Sequence, residues 1–112
     1  MKIYDKISNM YKAWKIGKGE PPFNITQEDV SYKQGDYYSE NGVVYSFEIA
    51  GDKYEIGYII VVEDADDWAQ AESHEYYICT KSGINISSYE LTNIVDNYLQ
   101  FEREYKLNKL GI

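Results

Sequence analysis

The residues best able to do chemistry are carboxylates. The chain is 112 residues long with nineteen acids, eleven Lys or Arg, and one histidine. Six of those acids fall in one stretch of thirteen residues, Glu63 to Glu75, as Glu63, Asp64, Asp66, Asp67, Glu72 and Glu75. Such a run can bind cations, transfer protons or stand in for phosphates. The calcium possibility is tested by position: Asp64, Asp66 and Glu75 match places one, three and twelve of an EF-hand loop. Trp68 at place five brings no ligand oxygen, and Ala69 at place six replaces the turn glycine, so an EF-hand is rejected. His74 and Cys79 are the only imidazole and the only thiol, too few for a zinc or histidine-based metal site. They read as a surface histidine and a buried strand cysteine. Weak cation binding by the acids stays open, and no cofactor is expected.

No phosphate loop, serine elbow or zinc spacing occurs. Carboxylate pairs are plentiful on any acidic surface and single out no general acid or base. The chain is therefore expected not to be an enzyme. If the run from Glu63 to Glu75 were helical it would be about 20 Å long, with a carboxylate roughly every 3.3 Å of rise. One DNA strand spaces its phosphates about 3.4 Å apart along the axis. The run is then either a phosphate mimic or a solvated charged loop. A second acidic pair comes from the expected hairpin register, which sets Glu48 opposite Glu55; both point into water beside Lys53, or a partner's cation completes the pair.

The net charge of −8 is unevenly spread. Residues 1–18 carry five lysines against Asp5, residues 19–75 carry fourteen acids against Lys33 and Lys53, and the rest is balanced. Such a field repels nucleic acid and anionic membranes and attracts basic proteins. Thirteen tyrosines exceed what one small core can hide with partnered hydroxyls, and exposed tyrosine favours interfaces. The expected partner is a basic, nucleic-acid-handling protein, with no direct nucleic-acid or membrane contact; homo-oligomers stay possible. The expected contact residues are Glu48, Glu55, Glu63, Asp64, Asp66, Asp67, Trp68, Glu72, Glu75 and Tyr37.

In size, acidity and lack of catalytic motifs the chain resembles small phage-encoded anti-restriction and anti-CRISPR proteins. That resemblance is one of overall character, carried by no motif, and it implies an inhibitor that occupies a basic nucleic-acid groove. An immunity protein against a basic nuclease toxin fits the same features. A small ligand-binding α+β domain, with a pocket between sheet and helices, is the alternative of another class.

Several elements must position these residues. Ile3, Ile7, Met10 and Trp14 form one helical stripe, stopped by Gly17 and Gly19. Pro21-Pro22 opens a connection to about Gly35, read as a loop with at most a helical turn at Thr26 to Asp29. Alternation from Val43 to Ala50 and from Tyr54 to Val62 predicts a hairpin closed by a Gly51-Asp52 type II′ turn. Asn41-Gly42 predicts a type I′ turn that pairs Tyr38 with Tyr45, which would align Tyr38, Tyr45 and Tyr58. Residues 63–75 form an acidic connection to a fourth strand at Tyr76 to Thr80, and Lys81-Ser82-Gly83 turns out of it. Ser87 and Glu90 then make a capping box, with Ile86 and Leu91 in the staple positions. Leu91, Ile94, Val95, Tyr98, Phe101 and Tyr105 predict one long helix ending at Gly111.

The sum is one α+β domain spanning residues 1–112: an antiparallel three- to four-stranded meander with an N-terminal and a long C-terminal helix packed on one face. One cysteine forbids an internal disulfide, and neither a signal sequence nor a long apolar run is evident, so a cytoplasmic protein is expected.

Overall fold

The computed structural model of the chain describes residues 2–19, 23–63 and 72–111. The order is α1 (Ile3–Lys15), β1 (Ile25–Gln34), β2 (Tyr38–Ile49), β3 (Asp52–Glu63), β4 (Glu72–Lys81), β5 (Ile84–Asn85), α2 (Ser88–Asp96) and α3 (Tyr98–Lys109). All five strands form one antiparallel sheet in sequence order.

Helix α1 forms where its apolar stripe predicts it, with Asp5 in the first turn and Lys12 and Lys15 in the last, as the helix dipole favours. It ends in a Schellman motif: Gly17 takes φ +76°, its N–H bonds to the Trp14 carbonyl, and the Lys18 N–H bonds to that of Ala13. The side it buries runs through Ile3, Ile7 and Ser8, whereas Trp14 at the end of the stripe is 40% exposed.

Residues read from sequence as a connection, 25 to 34, are instead the edge strand β1. Its burial explains the disagreement, since only Ile25 is buried and Val30 half-buried. A strand exposed on nearly every residue carries no alternation to read. The Asn41-Gly42 turn does not exist either. Both residues lie inside β2, opposite Ser31 and Val30, and the chain reverses earlier, over Gly35 to Tyr37. Gly42 is there for close approach, because a Cβ on it would stand 2.1 Å from the Tyr58 carbonyl oxygen.

The β2–β3 turn is Ala50-Gly51, one residue before the expected pair. Both residues have positive φ, 52° and 81°, as a type I′ turn requires. The register moves by two residues, which keeps each hairpin side chain from Val43 to Val62 on its expected face but changes its neighbour. Glu48 faces Lys53 and Glu55 faces Ser46, so the like-charged pair is replaced by an opposite-charged one. Tyr38, Tyr45 and Tyr58 do not line up; they stand opposite Glu63, Ile56 and Val43.

Strand β4 begins at Glu72 and a short β5 follows the Ser82-Gly83 turn, so the sheet has five strands instead of three or four. The Glu90 N–H bonds to Ser87 Oγ at 3.0 Å and caps α2 as expected. The single long C-terminal helix is two helices. Asn97 leaves helical geometry at φ −120°, and its side-chain amide donates to the Asn93 carbonyl and Oδ1.

The three helices of the described residues pack on one face of the sheet. There Ile3, Ile7, Leu91, Ile94 and Val95 meet Tyr45, Phe47, Ile49, Tyr54 and Ile56. Tyr4 inserts from α1 among Tyr45, Tyr58 and Tyr77, with ring centroids 5.8–5.9 Å away. Lengths decide what stays uncovered. Strands of twelve residues reach about 40 Å, but the thirteen residues of α1 only about 20 Å. The described helices therefore cover the end bearing the β2–β3 turn, and among the described residues none covers the end bearing the β1–β2 turn, called the bare end below. The molecule is correspondingly elongated, with a radius of gyration of 17.6 Å against about 13 Å for a compact chain of this length.

Candidate functional site

The bare end of the sheet holds residues 28–42 of β1, β2 and their turn, residues 59–63 of β3 and residues 72–76 of β4. Its carboxylates are Glu28, Asp29, Asp36, Glu40, Glu63, Glu72 and Glu75, and its only lysine is Lys33. The register assigns them to faces. Glu28, Glu40, Glu63 and Glu72 project from the face opposite the helices, Asp29 and Glu75 from the helix side, and Asp36 sits in the turn. Glu63 and Glu72 are direct cross-strand partners, an arrangement of like charges that destabilises a sheet.

This end keeps its own small apolar cluster on the face without helices. Val44, Ile59 and Val61 are buried there, with Val30, Tyr38 and Ile78 packed around them. Two glycines make it possible. A Cβ on Gly42 would press on Ile59 and one on Gly57 on Val44, each at 2.8 Å, so these side chains lie flat across the strands. Around the cluster stand exposed aromatics: Tyr32 and Tyr76 at 49% and 41%, and Tyr37 on the turn at 71%.

Two tyrosines are tied to the acids. Tyr38 donates its hydroxyl hydrogen to Glu40, and Tyr58 donates to Glu75. The Glu40 hydrogen bond, with some burial, pushes Tyr38 up to about 12. At the covered end Tyr54 is pushed up to about 12 as well, chiefly by burial. Burial also raises the Cys79 thiol, which is half-buried on β4. His74 is exposed on β4 opposite Val61. Among the described residues, no group of three or more His, Cys, Asp or Glu converges to hold a metal ion.

The structure divides the contact residues expected from sequence. Tyr37, Glu63, Glu72 and Glu75 share the bare end, all exposed. Glu48 and Glu55 belong to the covered end; Glu48 lies ten residues along β2 from Tyr38, roughly 34 Å away. Glu48 also stands opposite Lys53, so this pair leaves the candidate site. Asp64, Asp66, Asp67 and Trp68 lie outside the described residues. The helical reading of 63–75 fails at its last part, because Glu72 to Glu75 are strand.

Sequence reasoning missed Glu28, Asp29, Asp36 and Glu40 and the exposed Tyr32 and Tyr76. Recognising β1 as a strand would have brought the first four to the same end. Lys6, Lys12 and Lys15 ride on α1, where Lys6 bridges to Asp96 and Lys15 lies over the rings of Tyr11 and Trp14, and Lys2 at its start lies over the Tyr77 ring. Charge is thus polarised along the sheet, acidic where it is bare and basic where α1 covers it. No helix among the described residues is long and apolar enough to cross a membrane. No protein-family model matches the chain, and neither a curated protein nor a solved structure does.

Proposed function

We propose that this chain is a small non-catalytic inhibitor whose acidic sheet end occupies the basic nucleic-acid-binding surface of another protein. The observation that carries the reading is the gathering of seven carboxylates against one lysine on an end that no described helix covers. From Glu28 to Gln34 that end is roughly 24 Å long, and the face opposite the helices carries Glu28, Glu40, Glu63 and Glu72 along it, roughly one carboxylate per 6 Å, a little over half the charge density of one nucleic-acid strand. Tyr32, Tyr37 and Tyr76 add stiff contact area of the kind that anchors interfaces. An immunity protein against a nuclease toxin would use the same surface, the partner then being the nuclease.

The test is capture from a cell lysate at low salt, followed by competition. The captured protein should lose its nucleic acid when this chain is added and recover it as salt rises, because the attraction is screened. A partner that keeps its nucleic acid overturns the reading. So does equal capture by a chain carrying Glu63→Lys and Glu72→Lys.

A further inference from the structure

Among the described residues, strand β4 has an open outer edge. Strand β5 pairs only with Thr80 and Lys81, after which the chain turns away into α2. Among the described residues, no strand pairs with the outer side of Glu72 to Ile78. Two hydrogen bonds fix which backbone groups that side presents. The Ser82 N–H donates to the Lys53 carbonyl at 2.7 Å, toward β3, whereas the Ile86 N–H donates to the Cys79 carbonyl at 3.0 Å from outside. Backbone groups alternate along a strand. Even-numbered residues of β4 therefore bond to β3, and the N–H and C=O groups of Ser73, Glu75 and Tyr77 line the open edge.

At the end of this edge lies a cleft of 460 Å³, within the range of natural ligand pockets. It is lined by three consecutive β4 residues, Tyr77, Ile78 and Cys79, with Ile3 and Ile56 beneath and Tyr89 on its rim. Consecutive strand residues point to opposite faces, so a cavity touching all three runs along the strand's side. Tyr89 is 88% exposed, an aromatic ring with no core role.

Edge strands are usually blunted by lysine, proline or a bulge. The open stretch of β4 has neither lysine nor proline, and its charges are Glu72 and Glu75, which repel a second copy of the same edge and attract a cationic strand. Strand β1, the other edge, carries Lys33. We infer that the β4 edge takes up an extended, basic peptide segment by strand addition, one apolar side chain seating in the cleft below Tyr89. This names the form of the basic partner and rests on the proposal above. Lysines or arginines of the added strand lie beside Glu72 and Glu75, and main-chain hydrogen bonds to Ser73, Glu75 and Tyr77 supply the pairing.

The test uses the full chain and two probes of equal charge: a short peptide of valines with lysines at both odd and even positions and one phenylalanine, and the same peptide N-methylated on alternate residues so that it cannot pair. Amide hydrogen exchange should show Ser73, Glu75 and Tyr77 exchanging freely at first and becoming at least tenfold slower with the unmethylated peptide alone. Ser73→Pro removes an outward N–H without touching the ladder to β3, and should abolish that slowing while Ser73→Ala retains it. Protection of these amides before any peptide is added would show the edge already occupied and overturn the inference. Equal binding of both peptides without new protection would overturn strand addition while leaving a basic partner standing. Binding of neither peptide would also overturn it, and retention on polylysine at low salt would then report separately on the basic-partner reading.

Discussion

The two ends of one sheet use the same strands for opposite purposes. At the covered end Ile7, Ile49 and Leu91 are completely buried between sheet and helices. At the bare end a cluster of three buried residues lies under cross-strand neighbours, and carboxylates crowd both faces. Burial stabilises in proportion to the apolar area removed from water, whereas crowded like charges work against folding. Stability and the proposed recognition are thus separated along the strands, and either can be altered without the other.

The separation breaks most visibly under truncation. Leu91→Ala should lower unfolding free energy by about 2–5 kcal/mol, while Ile60→Ala at the bare end, where Ile60 is 40% exposed, should change it by about 0.5 kcal/mol. Denaturant unfolding of both variants checks this, and equal losses would show that the bare end belongs to the main core. A smaller effect sharpens the contrast. Glu72→Lys turns the repulsive pair with Glu63 into an attractive one and should raise stability by about 0.2–1 kcal/mol, although it removes charge that the proposed partner needs. A variant that is more stable and captures less is the signature expected of a surface kept for binding.

The subtlest comparison is in alkali. Tyr38 and Tyr54 both titrate near 12, the first held up by its bond to Glu40 and the second by burial. Each native pKa lies above the unfolded value of about 10, so the native chain keeps its proton longer. Their contribution to stability is complete below pH 10 and is lost as pH rises from about 10 to about 12. Ultraviolet titration of Glu40→Gln should show Tyr38 ionising earlier with Tyr54 unchanged; simultaneous movement of both would mean that the ends are coupled.

Elements with strong local signals were legible in the sequence. The α1 stripe, the Ser87 cap and the alternation on β2 and β3 each arise from residues whose environment repeats at a fixed period. The α+β class and the meander follow from them. What the sequence hid were choices between near-equal local options. Ala50-Gly51 and Gly51-Asp52 both suit a tight turn, and the first places Lys53 against Glu48. Asn41-Gly42 has turn chemistry, yet Gly42 serves the close packing of Tyr58 and Ile59. Leu91 to Tyr105 keeps helical spacing across Asn97, where the side-chain bonds to Asn93 accompany the break. The candidate site was half-legible for the same reason: Glu63, Glu72 and Glu75 lie in the obvious acidic run, but Glu28, Asp29 and Glu40 join them only through the pairing of an edge strand that carries no periodic signal.

The meander order has a consequence for how the chain is made. Each ladder joins strands that follow one another in sequence, so strand pairing never waits for a remote partner, and contacts this local favour quick assembly. During synthesis β1 to β4 can zip together before α2 and α3 leave the ribosome. Until Leu91, Ile94 and Val95 arrive, Phe47, Ile49 and Tyr54 have only α1 and Phe23 to cover them, and a nascent chain stalled just past Lys81 exposes apolar surface of the kind chaperones shield.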